Sequence, residues 1–256
     1  MGEVCMNLRT TDLRKLNSAT KYPSIPTYHL LGDKGRLRDE VQVSFAADVV
    51  VTEKLDGTNT RIVVLDDRNY LIGSREELLH ARGDVVFNPA MGIVTAVRAI
   101  ADRTAEALAG RGRVVTFYGE VYGGKTTGSK AYGTSVGFRL FDVVSASARE
   151  FEERLASTSE DIAHWRDSGG QAFLDERELA DHAALVGVDV TPRINAAAPL
   201  SDLRGTHAWL KSALPGDTLA PLDSERKGRP EGVVVRTRDR RAIAKLRFED
   251  YERTLR

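Results

Sequence analysis

Features that define whole classes of protein are scarce or missing in this chain of 256 residues. A single cysteine, Cys5, excludes an intramolecular disulfide framework and a metal site built from several cysteines. No apolar run is long enough to cross a membrane, and the N-terminus lacks the apolar segment of a signal peptide. The net charge is zero, from 37 basic and 37 acidic residues, which excludes binding of nucleic acid through overall charge. We therefore expect a cytoplasmic protein without a membrane partner.

The balanced total conceals two oppositely charged segments. Residues 149–189 contain eleven acidic and four basic side chains, whereas residues 226–247 contain two acidic and nine basic ones. Each segment by itself is typical of a solvated surface. Because the basic segment also has the apolar pattern of strands, its charges are expected on one side of a β-sheet.

Hydrophobic periodicity predicts an α+β fold. Strands and helices occur in clusters rather than in strict alternation, which favours α+β over a doubly wound parallel sheet. The first three strands are expected to form an antiparallel meander. No linker is long enough to indicate a domain boundary. Strands are predicted at residues 48–54, 60–67, 70–74, 113–124, 136–144, 231–237 and 241–248, and helices at 91–110, 173–188 and 207–214.

The segment EKLDGTN (Glu53–Asn59) places a lysine at the end of a predicted strand, before an acid and a glycine. A strand end is a rigid platform, and glycine lets a ligand approach the backbone closely. Because an unprotonated lysine amine is a nucleophile, Lys54 is a candidate for covalent catalysis. An ordinary β-turn beside an exposed lysine is the alternative interpretation.

A second segment, GEVYGGKT (Gly119–Thr126), matches the phosphate-loop pattern G-x-x-x-x-G-K-[ST]. In a phosphate loop, a helix begins at the lysine and directs its amide groups at the phosphates. Here the chain continues through Gly128, Gly133 and Gly137 into another strand, which favours a glycine-rich hairpin. A phosphate-loop kinase or NTPase remains an alternative function.

The last two predicted strands carry a third group of candidates. Glu231 begins one strand, and Lys245 and Arg247 end the next. Residues two apart in a strand share a face, so both cations can point at one anion while Leu246 packs inward. A solvent-exposed strand face is the alternative. The five histidines lack metal-ligand spacing and are expected to be structural or on the surface.

In their order along the chain, these motifs resemble the covalent nucleotidyltransferase superfamily of ATP-dependent DNA and RNA ligases and mRNA capping enzymes. The series is Lys-x-Asp-Gly, Ser-Arg-Glu, Phe-x-Gly-Glu, an aromatic-Asp strand, Glu-Gly-Val-Val and Lys-x-Arg, between residues 54 and 247. KYPSIPTYH (Lys21–His29) and the GEVYGG hairpin make the chain most similar to RNA ligases of the RNA ligase 2 type.

The resemblance implies an adenylyltransferase (ATP-grasp-like) fold, with antiparallel β-sheets flanked by helices and the ATP groove between them. It implies a single nucleotidyltransferase domain over residues 1–256, in which residues 1–47 form a segment on the substrate and adenine side. The implied activity is RNA repair: an ATP-dependent ligase that joins 3′-hydroxyl and 5′-phosphate RNA ends through an AMP-capped 5′ end.

The resemblance also implies a role for each motif residue. Lys54 would take AMP from ATP as a covalent lysyl-AMP, and Glu231 would help to place the divalent metal, Mg²⁺ or Mn²⁺. Lys245 and Arg247 would hold the α-phosphate. The other implied contacts are Glu53 and Phe141 to the adenine, Arg75 to the ribose and reacting phosphates, Glu120 to a ribose hydroxyl, and Asn59 during nick closure.

Three features depart from the RNA ligase 2 pattern. Asp56 stands where that type usually has histidine, and Arg247 stands where the last motif usually has lysine. The chain also ends nine residues after Arg247, where related enzymes continue into an OB-fold or a helical domain. An accessory protein or a second copy is therefore expected to supply further RNA contacts. A non-catalytic nucleotide- or RNA-binding relative is the remaining alternative.

Overall fold

The structure, a computed structural model, describes residues 8, 10–46, 48–82, 92–126 and 128–256; Cys5 lies outside these residues. The described residues form seven α-helices and eleven β-strands. None of these helices is long and apolar enough to span a bilayer. In chain order the elements are α1 Leu13–Thr20, β1 His29–Leu31, β2 Leu37–Val41, β3 Val49–Lys54, β4 Thr58–Val64, β5 Tyr70–Ser74, β6 Leu78–Ala81, α2 Ile93–Leu108, β7 Arg113–Gly123, β8 Val136–Ser147, α3 Ala148–Ala156, α4 Ser159–Asp167, α5 Glu176–Val186, β9 Arg193–Ile194, α6 Leu203–Ala213, β10 Gly232–Thr237, β11 Ile243–Arg247 and α7 Phe248–Leu255.

The chain divides into two compact units, each assembled from three separate stretches of sequence. Because a compact unit need not fold independently, the division does not test the single domain inferred from the sequence, which stays a prediction. The first unit comprises Met1–Ser24, Thr58–Val121 and Gly137–Val190, and the second comprises Ile25–Gly57, Tyr122–Val136 and Thr191–Arg256.

The first unit is built on a five-stranded sheet in the order β6-β5-β4-β7-β8. Ile62 and Val64 of β4 pack with α2 and α5 on one face. Val63, together with Leu65 just after the strand, packs with α1, α3 and α4 on the other face. Because helices cover both faces, this strand reads as a continuous apolar run rather than an alternating one.

The second unit contains a four-stranded antiparallel sheet in the order β11-β10-β3-β9. Val51, Val233 and Leu246 pack with α6 and α7 on one face of this sheet. Since strand side chains alternate between faces, Lys245 and Arg247 share the opposite face. The prediction that Leu246 packs inward between them is confirmed by its 1% exposure.

The α+β class is confirmed, but the predicted meander is wrong in its first strand. β3 does not pair with β4; it lies in the other sheet, between β10 and β9. The antiparallel meander is formed instead by β4, β5 and β6. Local sequence predicted that β3 is a strand, but its partners come from much later in the chain.

The acidic segment at residues 149–189 forms helices α3, α4 and α5. At each N-terminus a cap side chain accepts a hydrogen bond from the backbone of an acidic residue three positions later. Acidic residues in the first turn also interact favourably with the helix dipole. Much of the negative charge is therefore explained by helix termini. The pairs are Ser147 and Glu150 in α3, Thr158 and Asp161 in α4, and Asp175 and Glu178 in α5.

Candidate active site

Lys54 is the last residue of β3, and its ammonium group contacts the carboxylate of Glu231. Lys54 Nζ lies 2.5 Å from Glu231 Oε2, and the two side chains are 27% and 19% exposed. Because water is partly excluded, the attraction is stronger than that of a fully exposed ion pair. The structure thus brings the predicted nucleophile into contact with the predicted metal ligand.

Lys54 and Arg247 lie opposite the same residue, Gly232, on the two strands that flank β10. Opposed residues in an antiparallel pair have their side chains on the same face. With about 4.8 Å between strands, the Cα atoms of the two cations are roughly 10 Å apart. Lys245 lies two residues from Arg247 and occupies the same face, so three predicted cations share this polar surface.

Gly232 is required by the close approach of the strands at this point. A Cβ atom here would lie 2.0 Å from the Leu246 carbonyl oxygen and 2.8 Å from the Arg247 Cα. Backbone atoms of a paired strand cannot move aside as a flexible side chain can. The glycine of the Glu-Gly-Val-Val motif therefore leaves the space between Lys54 and Arg247 without a side chain.

Arg247 is held by acidic residues at the start of α7. Its Nε and one terminal nitrogen donate hydrogen bonds of 2.8 and 2.9 Å to the two oxygens of Asp250, and Glu249 lies 3.1 Å away. Burial acts to lower the pKa of Arg247, but the hydrogen bonds and charge of Asp250 raise it overall. Sequence reasoning missed Asp250, whose only signal is the Arg-to-Asp spacing of three residues at a helix start.

The Glu53 side chain is buried within the second unit. The Thr218 hydroxyl donates to one carboxylate oxygen at 2.5 Å, and the Leu219 amide donates to the other at 2.6 Å. Its own backbone amide donates to the Pro192 carbonyl at 3.0 Å. Both carboxylate oxygens thus bind the chain itself, and the adenine contact implied for Glu53 stays a prediction.

The glycine-rich segment after β7 supports the turn that follows Lys54. The Asp56 amide donates to the Tyr132 hydroxyl at 2.7 Å, and burial raises the pKa of that hydroxyl, which stays neutral. Gly128 faces the Asp56 side chain so closely that a Cβ would lie 2.3 Å from its carboxylate. Leu55 packs with Tyr132 in a small apolar cluster.

This arrangement contradicts the phosphate-loop interpretation of Gly119–Thr126. β7 continues to Gly123, and the described residues that follow form a 3₁₀ turn at Ser129–Ala131 and then β8. A phosphate loop needs the N-terminus of an α-helix to direct amide groups at the phosphates. The sequence pattern is therefore a coincidence of a glycine-rich hairpin.

In the first unit, Asn59 and Glu120 lie directly opposite each other on β4 and β7. Opposed Cβ atoms in such a pair are about 5 Å apart, so the two predicted nucleotide contacts are neighbours on one face. Among the described residues, nothing donates a hydrogen bond to the buried Oδ1 of Asn59. Such an unpaired oxygen is uncommon in a protein interior and can accept a hydrogen bond from a ligand.

Arg75 and Phe141 both contact the KYPSIPTYH segment. Arg75 follows β5, and its guanidinium donates to the Ser24 hydroxyl at 2.9 Å. The Phe141 ring meets the Tyr22 ring edge-on, with centroids 5.0 Å apart, and the Tyr22 hydroxyl donates to Asp142 at 2.5 Å. One segment therefore positions two predicted nucleotide contacts.

A buried cation that sequence reasoning did not select lies behind Arg75. Arg61 is fully buried and donates to the Asn17 side chain and, at 3.4 Å, to the Arg75 carbonyl. Burial lowers the pKa of Arg61 to about 10, so the group remains charged at neutral pH. Gly73 leaves room for it, since a Cβ there would lie 2.8 Å from the Arg61 Nε. Arg61 thus helps to fix the backbone that carries Arg75.

The predicted site residues therefore form two groups, one within each unit. The second unit carries Glu53, Lys54, Glu231, Lys245 and Arg247, and the first unit carries Asn59, Arg75, Glu120 and Phe141.

Comparison with known families decides the assignment. The model of the RNA ligase family matches residues 47–247, which is more than half of the chain and contains every predicted site residue. The chain belongs to the RNA ligase family. The prediction of an RNA ligase nucleotidyltransferase, made from the order of the motifs, is confirmed at this level.

Solved structures of Naegleria gruberi RNA ligase resemble this family member in fold. A mutant with ATP and Mn has a TM-score of 0.55 and 17% identity, and the match covers 91% of this chain and 61% of that chain. A mutant with AMP and Mn has a TM-score of 0.53 and 16% identity, and the match covers 90% of this chain and 62% of that chain. The ligase with PPi has a TM-score of 0.52 and 18% identity, and the match covers 80% of this chain and 51% of that chain. The chain thus spans less than two thirds of these proteins. No curated protein matches the chain by sequence.

Proposed function

We propose that this chain is the nucleotidyltransferase of an ATP-dependent RNA ligase that joins 3′-hydroxyl and 5′-phosphate RNA ends and releases AMP. The observation that carries the proposal is the contact between Lys54 and Glu231 on a polar sheet face shared with Arg247, in a member of the RNA ligase family. The Naegleria ligase structures with ATP and Mn support the choice of nucleotide and metal.

In the first step, Lys54 Nζ forms a bond to the α-phosphorus of ATP. The bond from that phosphorus to the bridging oxygen breaks, and pyrophosphate leaves. The amine must first release a proton to solvent, so its ion pair with Glu231 has to loosen before attack. Lys245 and Arg247 hold positive charge for the non-bridging oxygens, on which negative charge develops.

Glu231 is the carboxylate that would hold a divalent cation, Mg²⁺ or Mn²⁺, which neutralises phosphate charge when it is bound. Within the described part of the chain, no group of three or more His, Cys, Asp or Glu residues could hold a metal. One carboxylate nevertheless fits this chemistry, because Mg²⁺ is commonly held by one or two carboxylates together with water and substrate phosphates.

The remaining nucleotide contacts in this proposal are those that the resemblance implies. Phe141 and Glu53 contact the adenine, Arg75 contacts the ribose and phosphates, and Glu120 accepts a ribose hydroxyl. In the second step, a 5′-phosphate oxygen attacks the AMP phosphorus and the bond to Lys54 breaks. In the third, the 3′-hydroxyl attacks the capped phosphate with help from Asn59, and AMP leaves.

Covalent labelling tests the proposal. The protein is incubated with α-labelled ATP and Mg²⁺ or Mn²⁺, denatured and separated on a gel. We expect a labelled band for the native chain and for Lys125→Ala, which alters the phosphate-loop pattern, and no band for Lys54→Ala. Transfer of the γ-phosphate without a covalent label would overturn the proposal in favour of a kinase or NTPase. Tight ATP or RNA binding with no reaction would overturn it in favour of a non-catalytic relative.

A sealing assay tests the choice of substrate ends. RNA strands with a 5′-phosphate and a 3′-hydroxyl are offered as a nicked duplex, a broken hairpin and an RNA–DNA hybrid. We expect an AMP-capped 5′ end before the sealed product, and neither species when the 5′-phosphate is removed. Sealing that persists without the 5′-phosphate would contradict the proposed chemistry.

A further inference from the structure

A basic groove lies in the second unit, on the side of the sheet opposite Lys54. It is formed by α6 and α7, which pack on the apolar face of the sheet, whereas Lys54 and Arg247 project from the other face. The groove has a volume of about 400 Å³ and is open to solvent. Its lining consists of Arg204, His207, Lys211, Glu252, Leu255 and Arg256.

Two cations of the groove and one histidine lie along one helix face. Arg204, His207 and Lys211 are spaced by three and four residues in α6, so their side chains lie on the same side. At about 1.5 Å of rise per residue, Arg204 and Lys211 are separated by roughly 10 Å along the helix axis. Both are exposed. Among the described residues, neither has a carboxylate within salt-bridge distance.

The single acidic residue in the lining is already neutralised. Glu252 accepts two hydrogen bonds from the guanidinium of Arg229, and these bonds lower the pKa of Glu252, which therefore stays ionised and paired. Burial and the charge of Lys211 lower the pKa of His207, which is neutral near pH 7. The uncompensated charge of the groove therefore comes from its Arg and Lys side chains.

We propose that this groove binds the phosphodiester backbone of a nucleic-acid strand. A site for one small anion needs donors that converge on a point, whereas Arg204 and Lys211 are separated along the helix and face solvent. Consecutive phosphates of one strand are about 3.4 Å apart along a duplex axis, so roughly 10 Å corresponds to about three phosphates. The proposal rests on the proposed function only in naming RNA as the nucleic acid.

The contacts proposed for the groove do not depend on the base sequence of the bound strand. The ring of His207 stacks on the buried Tyr251, with centroids 5.9 Å apart and an angle of 9° between the planes. These rings therefore stack on each other rather than on a base. Contacts of this kind position a strand without reading its bases. The groove would thus hold RNA of any sequence, with a strong dependence on salt concentration.

The salt dependence of RNA binding tests the proposal directly. Binding of a fluorescent nicked RNA duplex is measured from low to moderate salt for the native chain and for the double variant Arg204→Ala/Lys211→Ala. Each lost phosphate contact makes the negative slope of log K against log salt less steep by about 0.9. We therefore expect the slope of the double variant to be less steep by about 1.8. We expect roughly tenfold weaker binding at low salt. Covalent labelling of Lys54, which needs no RNA, should be unchanged.

Two matched variants make the result specific. Arg103→Ala/Arg177→Ala removes the same charge from exposed positions of α2 and α5 in the first unit and should leave the slope unchanged. Arg204→Lys/Lys211→Arg keeps the charge and should retain binding. An unchanged slope in the groove variant, or an equal decrease in the first-unit variant, would overturn the proposal.

Competition with inorganic phosphate distinguishes a site for a nucleic-acid strand from a site for a small anion. We expect millimolar phosphate to compete with the fluorescent RNA no better than sulfate does at equal ionic strength. Saturable competition by phosphate that disappears in the groove variant would identify a small-anion site and overturn the backbone assignment. If the native chain takes no label on Lys54, the ligase proposal fails, while the salt slope still decides the role of the groove.

Discussion

The two units use their β-sheets in different ways. Helices cover both faces of the sheet in the first unit, whereas in the second unit α6 and α7 pack on one face and the opposite face carries Lys54, Lys245 and Arg247. In the first unit, the candidate residues instead lie near strand ends, on a turn and on the edge strand β8. The first sheet therefore carries its candidate residues at its margins, and the second carries these three cations together on one face.

The largest expected effect comes from the motif glycines, one in each unit. A Cβ at Gly232 would meet the Leu246 carbonyl oxygen, whereas one at Gly119 would first meet the Phe138 ring, at 2.2 Å. The ring can rotate away, but the Arg139 backbone carbonyl oxygen, 2.7 Å from the same Cβ, cannot. We therefore expect Gly232→Ala, which meets only backbone atoms, to reduce the free energy of unfolding by about 3 kcal/mol and Gly119→Ala by about 2 kcal/mol.

Urea unfolding measures both glycine variants. Gly216→Ala is the control, because nothing lies within 4 Å of a Cβ at this position, and its effect should stay within about 0.5 kcal/mol. If Gly119→Ala costs as much as Gly232→Ala, the smaller effect expected where part of the crowding comes from a movable side chain is wrong.

Arg247→Lys tests whether the positive charge at this position of the second unit is sufficient for labelling of Lys54. Lysine keeps the positive charge but loses the two-point hydrogen bond to Asp250. We expect the rate of Lys54 labelling to fall by less than about tenfold, equivalent to about 1.4 kcal/mol. Lys245→Arg is the matched substitution and should have a similar or smaller effect. Complete loss of labelling in Arg247→Lys would show that the fork geometry is essential.

The smallest expected effect comes from the helix caps of the first unit. Ser147→Ala and Asp175→Ala each remove a side chain that accepts a hydrogen bond at a helix N-terminus, and each should cost about 1 kcal/mol of stability. Ser159→Ala, an exposed position in α4, should change stability by less than about 0.5 kcal/mol. Thermal unfolding checks all three. Since neither cap residue is among the predicted site residues, Lys54 labelling below the unfolding transition should not change.

Much of the fold could be predicted because its pattern is local. The strand at residues 70–74 and the helix that ends before Gly110 were predicted closely, since alternation and helical spacing are visible within a few residues. Helices α3, α4 and α7 were not predicted. They have only eight or nine residues, a length at which helices depend on caps and packing rather than on propensity.

The candidate site was predicted as a set of motifs, but not as an arrangement. Lys54 and Glu231 are 177 positions apart, and nothing in their local sequence indicates that β3 pairs with β10. Supporting residues such as Asp250, Tyr132 and Arg61 were missed for the same reason. Each acts through a contact with a motif residue and has no pattern of its own.

The sequence by itself determined which side chains can share a face. The alternation in β3, β10 and β11 separates Val51, Val233 and Leu246 of the core from Lys54, Lys245 and Arg247, because successive strand residues point to opposite sides. Only the tertiary structure decided that β3 leaves its neighbour β4 and pairs with β10, which brings Lys54 to Glu231. The physical reason is that backbone hydrogen bonds are the same for every residue, so strand pairing is selected by the burial of the apolar face as a whole.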